Sequence, residues 1–263
     1  MYDPFSLRPT IDIEPPAFHL LNQTGKAGVL LACDHASNAL PRGYGTLGIA
    51  EQKMYEHIAW DVGAAAVTRM LAADLDAPAI LGGTSRLFVD LNRYPDDPTA
   101  IAAFSDGTVV HGNENLSETE RAKRLSWHTQ YHNELERQIA RLTAEHGGRP
   151  PVLLFIHSFT PVIRNQRRPW HLGVLHDHNS PESDRLLKLL QDEPHIVSGD
   201  NQPYSVNEPP SYSITRHAID AGRPYVALEI RQDLIETEPG AEQWAETIGR
   251  LFRRMLEPLE VLP

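Results

Sequence analysis

Val29-Leu30-Leu31-Ala32-Cys33-Asp34-His35-Ala36-Ser37-Asn38 carries five apolar residues straight into an aspartate and a histidine. The same design returns at Val152-Leu153-Leu154-Phe155-Ile156-His157-Ser158-Phe159-Thr160-Pro161. A third run, Tyr225-Val226-Ala227-Leu228-Glu229-Ile230-Arg231, ends in a carboxylate and a guanidinium. Unbroken apolar runs of this kind read as strands buried on both faces, as in a parallel or mixed sheet covered by helices. In open α/β sheets, ligands bind at the carboxyl ends of the strands. Two histidines, a glutamate and an arginine delivered to that edge would supply metal ligands, a general base and an anion clamp.

Residues 51–75 show helical periodicity through Ile58, Val62, Ala65, Ala66 and Met70. Residues 79–81 and 87–91 read as short strands, and 92–116, rich in Pro, Asp, Gly and Asn, as a long loop of the sort that is usually functional. Ser117 with Glu120 fits a capping box that opens a helix, and Gly147-Gly148 would stop it near residue 146. A strand at Leu172–Leu175, a helix over 180–191, a weak strand at 196–198, a helix over 211–221 and a terminal helix over 240–256 complete the pattern. Residues 1–26 are Pro-rich and read as an arm lying on the body. The alternation of strands and helices predicts a three-layer αβα fold with a mainly parallel or mixed sheet, in a single domain over 1–263.

The 263 residues are 41% hydrophobic and 22% charged, enough to bury one large core. A net charge of -11 argues against nucleic acid or an anionic membrane as a general partner, but leaves room for a small anionic substrate gripped by local arginines. A lone cysteine, Cys33, forbids an internal disulfide and favours a reducing compartment. Met1-Tyr2-Asp3-Pro4 lacks the basic-then-apolar pattern of a secretory leader, and no apolar run approaches the roughly 20 residues that span a bilayer. A cytoplasmic location is the expectation.

His35 and His157, each just past an apolar strand, are candidate metal ligands, with zinc the expected ion and Asp34 able to orient a ring. The third ligand stays open. The zinc-peptidase pattern His-x-x-Glu would fall on His35-x-x-Asn38, and an amide is a weak ligand beside a carboxylate. His57 and Asp61, spaced i, i+4 on one helix face, offer a ligand or a group behind one. Glu229 in an apolar strand is costly unless employed, and desolvation would raise its pKa toward that of a general base. Arg231, two residues on, shares its strand face and could pair with it or serve catalysis. Arg86 and Asn92-Arg93 are candidate carboxylate clamps, with Asp90 able to hold an arginine in place. Arg164, Arg167 and Arg168 form a basic loop after His157. Asn113, His132, Asn201 and Tyr204 lie where they could touch substrate. His171, His176 and His178 could form a competing metal site, and Cys33 reads as an apolar filler rather than a nucleophile.

Taken in order, Cys33-Asp34-His35-Ala36-Ser37-Asn38 with Pro41, His57-Ile58-Ala59-Trp60-Asp61-Val62-Gly63, Ser85-Arg86-Leu87 with Asp90-Leu91-Asn92-Arg93, His157-Ser158-Phe159-Thr160-Pro161, Asn201-Gln202-Pro203-Tyr204 and Glu229-Ile230-Arg231-Gln232-Asp233-Leu234-Ile235 resemble the N-formylglutamate amidohydrolase family over roughly residues 28–240. The resemblance implies a fold similar to the zinc carboxypeptidases. It also implies hydrolysis of N-formyl-L-glutamate to formate and glutamate, the last step of one route of histidine degradation. It places His35 and His157 as metal ligands, Asn92-Arg93 as the carboxylate clamp and Glu229 as the base. Other readings are a deacylase or peptidase acting on another N-acyl amino acid or short peptide, and a catalytically silent domain that senses an acidic metabolite, which Asn38 favours.

Overall fold

The computed structural model describes residues 13–177, 180–207 and 210–257. Its centre is a seven-stranded sheet in the spatial order Phe18–Leu21, Ala79–Gly82, Val29–Cys33, Val152–Phe159, Tyr225–Arg231, Leu172–Leu175, Ser198–Asp200. The four strands from Ala79–Gly82 to Tyr225–Arg231 run parallel to one another. Phe18–Leu21 and Leu172–Leu175 join this parallel set antiparallel, and Ser198–Asp200 pairs parallel to the latter.

Strand residues alternate between two cores. Leu31, Cys33, Leu154, Ile156, Val226 and Leu228 pack against the helices Ala64–Asp74, Pro181–Gln191 and Glu238–Leu256. Leu30, Ala32, Leu153, Phe155, Tyr225 and Ala227 face the 28-residue helix Glu118–Glu145 and the loops around Leu47, Phe88 and Ile214. Helices on both faces explain why the central strands carry no polar alternation. The mixed α/β sheet expected from the sequence is present.

Several elements differ from the sequence expectation: the weak strand expected at 196–198 lies at Ser198–Asp200, and the loop expected over 92–116 holds a hairpin of Phe104–Ser105 with Thr108–Val109. The helix expected over 51–75 is a 3-10 turn at Glu51–Tyr55, irregular chain, then a helix at Ala64–Asp74. Backbone groups in the gap are taken by tertiary partners: Ala59 O accepts from Arg86 N–H and the Ser85 hydroxyl, and Asp61 N–H donates to His35 O. Gly63, at φ 79°, turns the chain into the helix so closely against the Ile235 carbonyl that a β-carbon would collide with it. Residues 87–91 form turns rather than a strand, their apolar side chains buried in the second core. The arm expected over 1–26 contains a sheet strand, Phe18–Leu21; residues 1–12 lie outside the described residues.

Ser117 caps the long helix by accepting from Glu120 N–H, while the Glu120 carboxylate takes Tyr44 and Arg124 instead of closing the capping box. Among the described residues, no helix is long and apolar enough to cross a membrane.

Candidate metal centre and active site

Parallel pairing brings three strand ends together. Val29–Cys33 and Tyr225–Arg231 flank Val152–Phe159, and Glu229 sits in register with His157. By alternation, His157 and Glu229 point to the same face as Phe155 and Ala227. Asp61 arrives from the irregular chain before Gly63, tied to His35 through its own N–H, 2.9 Å from His35 O.

His35, Asp61 and His157 form a buried group whose ligand atoms lie within 4.8 Å of one another. His35 Nδ1 stands 3.3 Å and His157 Nδ1 2.9 Å from Asp61 Oδ2. Each ring turns its outer nitrogen to another carboxylate: His35 Nε2 lies 2.7 Å from Asp90 Oδ1, and His157 Nε2 3.4 Å from Asp34 Oδ2. Tyr131 in turn donates to Asp34 Oδ1 at 2.7 Å. Carboxylates behind histidines fix ring orientation and tautomer in metal sites. The donor set, two imidazoles and a carboxylate with those carboxylates behind, fits a divalent cation.

The electrostatics agree. Burial pushes the Asp61 carboxyl up, but the His35 charge and hydrogen bonds from His157 and His35 override it and hold it well below the aspartate range. Burial opposes the charge on His157 too, yet hydrogen bonds to Asp34 and Asp61 raise it well above the histidine range. His35 is raised as well: Asp90 and Asp61 outweigh burial and Arg86. Carboxylates that attract a proton to these rings attract a metal cation by the same Coulombic term.

Beside the group is a cavity of about 130 Å³, lined also by His57, Arg86, Asn92, Arg93, Tyr204 and Glu229. Among the described residues, Glu229 Oε2 is buried there without a hydrogen-bond partner. Burial, with the Asp61 charge added and His157 opposing, raises Glu229 to about 7. His57 Nδ1, 3.6 Å from Asp61 Oδ1, likewise makes no hydrogen bond among the described residues, and burial with the Arg86 and His35 charges lowers it to about 4 despite Asp61. Arg86 spans two carboxylates, Nη1 3.4 Å from Asp61 Oδ1 and Nη2 3.1 Å from Asp90 Oδ2. Arg93 has no carboxylate partner among the described residues; its Nη1 donates only to Asn92 O. Asn92 Oδ1 accepts from the Ser211 hydroxyl and from Ser213 N–H, which fixes the amide and leaves Nδ2 for the cavity.

The remaining expected site residues stand elsewhere. Asn38 Nδ2 donates to Met54 O, a tie within the loop that follows the first central strand. Asn113 donates to Leu87 O and Ala102 O and accepts from the buried Arg124, a knot inside the long loop. Asn201 accepts from His176 N–H in a turn with φ 49°. Arg231 does not pair with Glu229 or line the cavity; it reaches forward to Asp233 at 2.8 Å and to the Pro169 carbonyl. Arg168 acts one residue back, donating to the Tyr204 hydroxyl at 2.9 Å. His171 and His176 are tied to Val197 N–H and Asp200, and His178 lies outside the described residues. Burial drives the Cys33 thiol well above its ordinary value, as expected of an inert filler. Ser158, Ser205 and Ser211 line the cavity with no signal in the sequence, since lone serines are unremarkable.

The family profile of N-formylglutamate amidohydrolase matches residues 27–236. The chain belongs to that family. Among solved structures it is similar to the gene product Atu2144 from Agrobacterium tumefaciens, at 35% identity and TM-score 0.87, covering 92% of this chain and 95% of that one. It shares its fold with N-formylglutamate amidohydrolase from Ralstonia eutropha JMP134, at 17% identity and TM-score 0.67, covering 92% and 97%. Among curated proteins, none matches. Family membership makes the chain a hydrolase of amide bonds.

Proposed function

We propose that this amidohydrolase is metal-dependent, uses zinc, and removes the acyl group from a small acidic N-acyl amino acid, N-formyl-L-glutamate being the substrate the family favours. One observation carries the reading: a His-Asp-His group, a carboxyl raised to about 7 and a guanidinium without a carboxylate partner share one cavity. Held by His35, Asp61 and His157, a zinc ion supplies Lewis acidity toward the acyl carbonyl and the attacking water. Glu229 accepts the water's proton at Oε2 as the new C–O bond forms, and returns a proton to the nitrogen as the C–N bond breaks. Arg93 and Asn92 Nδ2 hold a substrate carboxylate. Arg86, fixed by Asp61 and Asp90, faces the negative charge that develops on the carbonyl oxygen. The products are formate and glutamate, and a role in histidine breakdown in the cytoplasm follows.

A groove of about 750 Å³ favours a second reading. It shares Arg86 and Arg93 with the small cavity and runs on past Phe104 and Arg164, room that a formylated peptide would use. Rates on N-formyl-L-glutamate, N-acetyl-L-glutamate and N-formyl dipeptides separate the two. The highest kcat/KM on N-formyl-L-glutamate supports the first; a preference above tenfold for a dipeptide would replace it with the second.

A further inference from the structure

The segment that carries Asn92 and Arg93 is held from behind in an unusual way. Three successive backbone carbonyls each have a donor from outside the segment. Leu91 O accepts from His132 Nε2 at 2.7 Å, Asn92 O from Tyr212 N–H at 3.3 Å, and Arg93 O from His128 Nε2 at 3.0 Å. The two histidines are one helical turn apart on Glu118–Glu145, their rings 4.3 Å apart and both packed on the Tyr212 ring.

A carbonyl oxygen only accepts, so Nε2 of His128 and of His132 each carries a proton. His132 Nδ1 then accepts from His217 Nε2 at 2.9 Å. Glu136 Oε2, at the surface, lies 3.2 Å from His217 Nδ1 and is also bound by Arg223. Burial and repulsion from His128 and His217 push His132 down to about 3, which keeps its ring neutral. His128, His132 and His217 are all buried, where apolar side chains would fill the space without the cost of burying polar groups.

We propose that His132 and His128 are positioning residues of the carboxylate clamp. They fix the backbone of residues 91–93 so that Asn92 Nδ2 and the Arg93 guanidinium meet the substrate carboxylate in one geometry. The inference rests on the reading of Asn92 and Arg93 as that clamp. Neither histidine lines the cavity, so they act on substrate only through the segment they hold.

The test compares His132→Gln with His132→Phe in the zinc-loaded protein. The glutamine amide nitrogen can donate where Nε2 does, and phenylalanine cannot. His132→Phe is expected to raise KM for N-formyl-L-glutamate about tenfold, the scale of one lost hydrogen bond. Its kcat should stay within about twofold and its zinc content unchanged, and His132→Gln should recover most of the KM. Equal effects of the two substitutions, or a fall in kcat or zinc content with KM unchanged, would assign His132 to packing and overturn the proposal. Should His132→Phe fail to fold, His128→Gln and His128→Leu give the same comparison at the Arg93 carbonyl. Calorimetric binding of glutarate reads the clamp without turnover. Wild-type protein that binds glutarate but does not hydrolyse N-formyl-L-glutamate would overturn the substrate reading alone; protein that binds no dicarboxylate overturns the clamp as well.

Discussion

Replacing Glu229 with glutamine should move activity and stability in opposite directions. The carboxyl is raised from 4.5 to about 7 by burial and the Asp61 charge. A group whose folded pKa is raised contributes stability below its unfolded pKa and loses that contribution as pH rises through the folded value. Here the window runs from pH 4.5 to about 7. Above it, the folded protein carries an ionised group at a cost of about 3 kcal/mol, from 1.36 kcal/mol per pKa unit. Glutamine removes that charge but leaves an amide donor without a partner at the orphaned Oε2 position, which takes back roughly 1–2 kcal/mol. The net gain of about 1–2 kcal/mol corresponds to a melting temperature about 2–8 °C higher for the metal-stripped variant at pH 8.

Turnover of the zinc-loaded variant should fall about 10²–10⁴-fold, the range of a lost general base. In the wild type, the rate should rise with pH as Glu229 loses its proton, a limb the variant lacks. Steady-state kinetics across pH 5.5–8.5, with calorimetric melting of the stripped protein, read both. A variant with near-normal turnover, or one that loses activity and stability together, would refute the role of Glu229 as a desolvated base.

Asp90→Asn should weaken zinc binding about 10–100-fold with the three ligands intact, because Asp90 orients His35; competition with a chromogenic chelator measures it, and unchanged affinity would count against the outer carboxylates. Arg93→Ala should raise KM for N-formyl-L-glutamate at least tenfold while changing kcat little, and an unchanged KM would remove Arg93 from the clamp. Asp34, Asp61 and Asp90 are all held below the ordinary aspartate value, by histidine contacts and, for Asp90, Arg86, against burial. The sign for a depressed carboxyl is stability present above about pH 4 and lost as pH falls. Urea melts of the stripped protein between pH 5 and 3 should show this loss, and a flat profile would contradict the burial of charged aspartates.

The central sheet was legible because its strands are apolar on both faces, and the alternation that sorts His157 and Glu229 onto one side follows from strand geometry alone. The turns at 87–91 were not. Phe88 packs between Tyr44 and Trp127 and Leu87 and Val89 are buried in the same core, and local pattern does not distinguish such tertiary burial from a strand. The choice among Asn38, His57 and Asp61 was equally closed to the sequence. It depends on a break in the expected helix, and that break depends on backbone partners at His35 and Ser85. Asp90 was legible as an arginine holder, which it is. Its bond to His35, 55 residues away in the chain, needs the fold. Arg231 shows the limit of the i, i+2 rule: at the last residue of a strand the side chain can turn forward, here to Asp233.

Hydrolysis of N-formyl-L-glutamate by purified protein, before and after chelation and again with zinc restored, tests the metal centre most directly. Formate release should vanish with the chelator and return when one zinc per chain is bound. Full activity in protein shown to be free of metal would contradict a catalytic centre at His35, Asp61 and His157.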